Sequence, residues 1–103
     1  MKTIYKYTVK VSDFFNLILP KGAKLLELAA APSKGGLFVA DIGLVPTGEI
    51  DFWAVVDSNE DETETIRGRI FGTGNPFDVD EDEYYFAGTV RDGPLVWHVF
   101  LEE

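Results

Sequence analysis

Apolar and polar positions alternate along most of the chain, the period-two pattern of strands half buried in a sheet. From Thr3 to Val11, Tyr5, Tyr7, Val9 and Val11 fall on one side and Lys6, Thr8 and Lys10 on the other. This predicts a strand with a lysine-bearing outer face. Ser12 and Asp13 interrupt the run, and Phe14 to Leu19 resumes it up to Pro20. Pro20-Lys21-Gly22 reads as a turn, with proline setting the φ of its first central position. Leu25 to Ala31 follows as a strand, with Leu26, Leu28 and Ala30 on one face. Pro32 to Gly36 is a cluster of chain breakers and predicts a loop. Leu37 to Val45 is apolar enough for a strand, and Pro46-Thr47-Gly48-Glu49 is expected to turn it back into Ile50–Val56 as a hairpin. In that return strand Ile50, Phe52, Ala54 and Val56 share a face opposite Asp51, Trp53 and Val55.

The second half continues in the same period. Ser58 to Glu62 is an acidic loop, and Thr63 to Phe71 is a strand with Ile66 and Ile70 opposite Arg67, Arg69 and Phe71. Gly72 to Glu83 is irregular, with one short helical turn expected after Pro76. Tyr84–Arg91 and Leu95–Leu101 pair through Asp92-Gly93, a dipeptide suited to the positive φ of a tight hairpin. No stretch sustains a helical period and no segment repeats. The expectation is a mainly β protein, one domain over residues 1–103: an antiparallel sandwich or strongly curved sheet of six to eight strands with little helix. Tyr5, Tyr7, Leu26, Leu28, Phe52, Ile66, Ile70, Trp97 and Val99 are its expected core.

Composition narrows the chemistry. The 46% hydrophobic content supplies a core, which argues against global disorder. With no cysteine there are no disulfides, thiolate metal sites or thiol nucleophiles, and one histidine rules out a multi-histidine metal site within the chain. No apolar run approaches the ~20 residues of a membrane span, and no signal-peptide pattern opens the chain, so no membrane association is expected. The formal charge of −9 repels phosphates, so direct nucleic-acid binding is not expected either. All six lysines fall in residues 1–34, against only Asp13 and Glu27, a net +4, while residues 35–103 hold 16 acids against three arginines, a net −13. Either the two populations neutralise one another across strands, or the acids form a face for a basic partner.

Four constellations bear on function. Asp57-x-Asn59-x-Asp61 and Asp78-x-Asp80-x-Asp82 begin like calcium loops, but Glu62 and Glu83 stand where glycine is needed and Gly68 and Thr89 where a bidentate glutamate is needed. They read as solvated acidic loops, with no metal. Gly72-Thr73-Gly74-Asn75 is a glycine-rich loop after a strand, able to present backbone amides to a ligand, yet it lacks a P-loop lysine. The structural reading of its glycines is a strand turning out of its sheet. His98 sits in a run apolar on both faces and reads as a hydrogen-bonded core histidine. Ser12, Ser33 and Ser58 stand in turns, so no nucleophile is set up, no cofactor is implied and the protein is not expected to be an enzyme.

Met1-Lys2-Thr3-Ile4-Tyr5-Lys6-Tyr7, Leu19-Pro20-Lys21-Gly22-Ala23-Lys24-Leu25-Leu26, Arg69-Ile70-Phe71-Gly72-Thr73-Gly74-Asn75-Pro76 and Gly93-Pro94-Leu95-Val96-Trp97-His98-Val99-Phe100 together resemble a family of small bacteriophage and prophage proteins of unknown function. The likeness covers both ends and most of the middle. It departs between Ala31 and Phe52, where the apolar segment 37–45 replaces a short turn. The resemblance implies a phage accessory protein in the host bacterial cytoplasm and no reaction. The leading expectation is a non-enzymatic protein that binds and modulates a host factor, as an anti-defence inhibitor, through Asp57, Glu60, Asp61, Glu62, Asp78, Asp80, Glu81, Asp82 and Glu83. Its partner would be a host protein with a basic surface. The alternatives are a protein that sequesters a nucleotide or other small molecule, using Gly72, Thr73, Gly74 and Asn75 with Trp53, Tyr84 and Tyr85, and a virion or assembly component. A homo-oligomer is left open.

Overall fold

The computed structural model describes residues 1–32 and 46–103 with their side chains, and the backbone pairing of 38–39 and 43–44. Seven antiparallel strands build two sheets, and no helix occurs among the described residues. They are β1 (Lys2–Lys10), β2 (Phe14–Pro20), β3 (Lys24–Ala30), β6 (Glu49–Asp57), β7 (Thr63–Gly72), β8 (Tyr84–Asp92) and β9 (Leu95–Glu102). Two short strands, β4 (Phe38–Val39) and β5 (Gly43–Leu44), pair with each other. The first sheet runs β1-β6-β3 and the second β2-β7-β9-β8. The molecule is only 16 Å thick along its shortest axis, as two stacked sheets require.

The alternation read from the sequence decides which faces meet. Ile50, Phe52, Ala54 and Val56 of β6 are buried, as are Leu17 and Leu19 of β2, Ile70 of β7, Val90 of β8 and Val99 and Leu101 of β9. The Phe15 and Phe52 rings meet across the sandwich at 5.5 Å between centroids. Each of the larger of these side chains contributes about 1.5–3 kcal/mol by leaving water. The Phe15 ring packs directly on Gly68, its partner on β7, and a methyl group at that position would overlap the ring.

Several expectations are corrected. Ile50–Val56 does not form a hairpin with 37–45: β6 is the central strand of the first sheet, flanked by β1 and β3 over long stretches of sequence. The apolar inner face of β6 is buried only in that central position. Apart from the β4 and β5 pairing, the segment 37–45 and the loop expected over 32–36 lie outside the described residues beyond Pro32. Leu26 is half exposed because a bulge between Leu25 and Glu27 shifts the register, turning Leu25 and Leu28 inward. Tyr5 shares the inward side of β1 with Tyr7 but lies 43% exposed on an edge strand. Pro20 is not a central residue of its turn but the one before it: the closing bond runs from Ala23 N to Pro20 O, so Lys21 and Gly22 are the central pair and Gly22 takes the positive φ. The β8–β9 turn is centred on Gly93-Pro94, with Gly93 at φ 58°. The single helical turn expected after Pro76 falls at Asp80, whose carbonyl accepts from Glu83 N and Tyr84 N and whose side chain accepts from Asp82 N, and it is not continued into a helix.

Candidate functional site

β7 and β8 run parallel with β9 between them, so residues 73–83 must cross the outer face of the second sheet. The crossing starts at Gly72-Thr73-Gly74-Asn75, where Asn75 N bonds Gly72 O and Gly74 takes φ 87°. It then lays Phe77 on the sheet. The Phe77 ring is 4.7 Å from Phe71 and 5.7 Å from Phe100, and Phe86 closes on Phe100 at 5.5 Å. Further along the same face the Arg69 guanidinium stacks 4.0 Å over Phe14 and 4.9 Å from Phe71, and its Nη1 donates to Asp78 O. Phe14 is 67% exposed, Phe77 55% and Phe86 54%. The outer face of a sandwich is expected to be polar, and this one is an aromatic platform.

A cavity of about 320 Å³ opens in the platform, lined by Phe71, Phe77, Phe86 and Phe100, by the loop Gly72–Asn75 and by His98. A cleft of about 490 Å³ shares Phe71, Gly72, Asn75 and Phe77 with it and opens toward Ser12, Asp13 and Arg69. His98 is hydrogen-bonded as expected, but on this outer face rather than in the core. Nε2 lies 2.7 Å from Thr73 Oγ1 on the crossing segment, and Nδ1 lies 3.0 Å from Thr89 Oγ1 on β8. Both hydroxyls can donate or accept, so either ring tautomer is satisfied. The histidine fastens the glycine loop to the sheet.

The expected contact acids divide into two groups. Asp57 ends β6, and Glu60, Asp61 and Glu62 lie in the exposed β6–β7 loop that follows it. Asp57 titrates below the usual aspartate range, because Asn59 N donates to it and the Met1 amino group sits 3.1 Å away. Glu62 faces Lys21 Nζ at 3.4 Å. Asp78, Asp80, Glu81, Asp82 and Glu83 end the crossing segment, all exposed and with no ion pair among the described residues. The two loops enter the parallel strands β7 and β8 at the same end of the second sheet. Between them Arg67 Nε donates to Glu102 Oε2 at 2.7 Å, a contact that holds the Glu102 carboxyl below its ordinary value and raises that of Arg67. Lysines thus neutralise some acids, Lys6 and buried Asp51 included at 4.0 Å, and leave 78–83 without an ion pair among the described residues.

Among the described residues no group of three or more acidic or histidine side chains is placed to hold a metal ion. Nor is any helix long and apolar enough to cross a membrane. Of the aromatics expected around the glycine loop, Trp53 lies on the outer face of the other sheet, between Lys6 and Glu27, and Tyr84 and Tyr85 open β8 away from the cavity lining. The phenylalanines form no pattern in the sequence because they are spread over 30 residues, and only the parallel crossing brings Phe77 onto the others.

Fold and site together define a two-sheet antiparallel β protein with an exposed aromatic, acid-rimmed outer face. The chain belongs to the family described as Domain of unknown function (DUF7352), which matches residues 1–103, the segment 37–45 included. No curated protein and no solved structure matches it.

Proposed function

We propose that the protein is a non-enzymatic binding protein whose partner is a protein with a basic, partly apolar surface, docked on the outer face of the second sheet. The observation that carries this reading is the exposed platform of Phe14, Phe77 and Phe86, edged by the exposed acids of 78–83. Apolar contact supplies affinity there, while the acids select partner charge and speed encounter. The acids of 57–62, partly paired with Lys21 and the amino terminus, are secondary. The resemblance to phage proteins supports a finer form of the proposal, in which the partner is a bacterial defence factor met in the host cytoplasm.

The test is capture from bacterial lysate by wild type, by Phe77→Ser with Phe86→Ser, and by Asp80→Lys with Glu81→Lys and Asp82→Lys. A specific partner retained by wild type is expected to be lost by both variants and to elute with modest salt, because exposed charges are screened. A partner indifferent to salt and to both variants contradicts the proposal. The cavity also fits a small planar molecule, since about 300–1,000 Å³ is the usual ligand range. A thermal shift with a nucleotide panel, abolished by Phe77→Ser, would establish that second reading instead.

A further inference from the structure

The two sheets have four edges, and three of them are protected against pairing with another chain. β1 carries Lys2, Lys6 and Lys10. β3 is bulged between Leu25 and Glu27 and carries Lys24 and Glu27. β8 is bulged between Phe86 and Gly88 and carries Arg91. Charges and bulges are the usual means of preventing edge-to-edge association. β2 has neither. From Phe14 to Leu19 it is uncharged, its register with β7 runs unbroken from Phe14↔Arg69 to Pro20↔Thr63, and its proline comes at the last residue. Among the described residues β2 pairs with β7 alone, and its outward side chains Phe14 and Ile18 are 67% and 62% exposed.

We infer that β2 pairs antiparallel with β2 of a second copy of this chain, joining two four-stranded sheets into one. The sequence is self-complementary in one register. A two-fold axis at Asn16 sets Phe14 opposite Ile18 of the other copy, an aromatic–β-branched pair of the kind that stabilises sheets, and sets the two Asn16 amides side by side. Phe15 then meets Leu17 on the inner face, and Pro20, which cannot donate, falls outside the ladder. Moving the axis to Leu17 sets Phe14 against Pro20 and Asn16 against Ile18, a poorer match on both counts. The antiparallel arrangement also brings Asp13, at one end of the strand, diagonally toward Lys21 at the other end of its partner. The aromatic platforms of both copies would then lie on one continuous face.

Sedimentation equilibrium between about 1 μM and about 1 mM tests this, spanning the range of weak to moderate self-association. Wild type is expected to move from the 11.5 kDa of one chain to twice that mass. Ile18→Lys is expected to stay at one chain mass throughout, with an unchanged circular dichroism spectrum. Phe86→Ser, which alters the platform away from β2, is expected to associate like wild type. A wild type that remains monomeric at all concentrations overturns the inference. So does association lost in Phe86→Ser and kept in Ile18→Lys, which would assign it to the platform. Should Ile18→Lys fail to fold, hydrogen exchange of wild type decides. Amides of Phe14–Leu19 must slow with rising concentration, and concentration-independent exchange there overturns the pairing.

Discussion

The carboxylate of Asp92 is 2% exposed and accepts from Thr47 N at 2.8 Å and Gly48 N at 2.9 Å. It ties the β8–β9 turn to the approach to β6, and so one sheet to the other. Asp92→Ala leaves two part-buried amides without partners and is expected to cost about 2–4 kcal/mol, while Asp92→Asn, keeping one acceptor, costs less. Urea denaturation checks the order; an alanine variant with an unshifted midpoint would show the bonds to be incidental. In sequence Asp92 looks like a turn residue before glycine, and nothing marks its partners 44 and 45 positions earlier. Phe52, Ile70 and Val99 were legible because alternation alone fixes their faces. Leu26 was not, since one bulged residue reverses the parity of every position before it. Trp97 packs on the core as expected, yet its Nε1 is buried without a partner among the described residues, a detail set by packing.

Strand existence was largely readable, and strand pairing was not. Only β8–β9 is a hairpin between sequence neighbours in the two main sheets; β1 finds β6, and β2 finds β7, over some forty residues or more. Local turn signals carry no information about such partners, which are chosen by the burial they complete. The Arg67–Glu102 contact is a product of that pairing, since β7 and β9 bring the two residues alongside. Because the hydrogen bond from Arg67 lowers the Glu102 carboxyl, the pair favours the folded state above the ordinary glutamate range. That contribution is lost as pH falls through the lowered value. Arg67→Ala is expected to return the Glu102 midpoint upward to the ordinary glutamate value, followed by carboxyl-carbon NMR, with little change in melting temperature because the arginine is exposed. A midpoint unmoved by the substitution contradicts the assignment.

Across the whole molecule, the sequence asymmetry of charge becomes a spatial one. Lysines line the outside of β1, where Lys6 meets Asp51, and Lys21 in the β2–β3 turn meets Glu62, while the acids of 78–83 have no ion pair among the described residues and lie beside the phenylalanines. The acidic run and the glycine loop were both visible in the sequence as separate features. Their union with Phe71, Phe77, Phe86 and Phe100 depends on a crossing between parallel strands, which no periodicity encodes. The most direct test of that union is hydrogen exchange of the protein with and without the partner it captures. Binding on the platform predicts slowed exchange in 71–77, around Phe86 and through 98–100, with β1 and β3 unchanged. Protection confined to the outer face of β1, β6 and β3, with the platform exchanging as in the free protein, would contradict it.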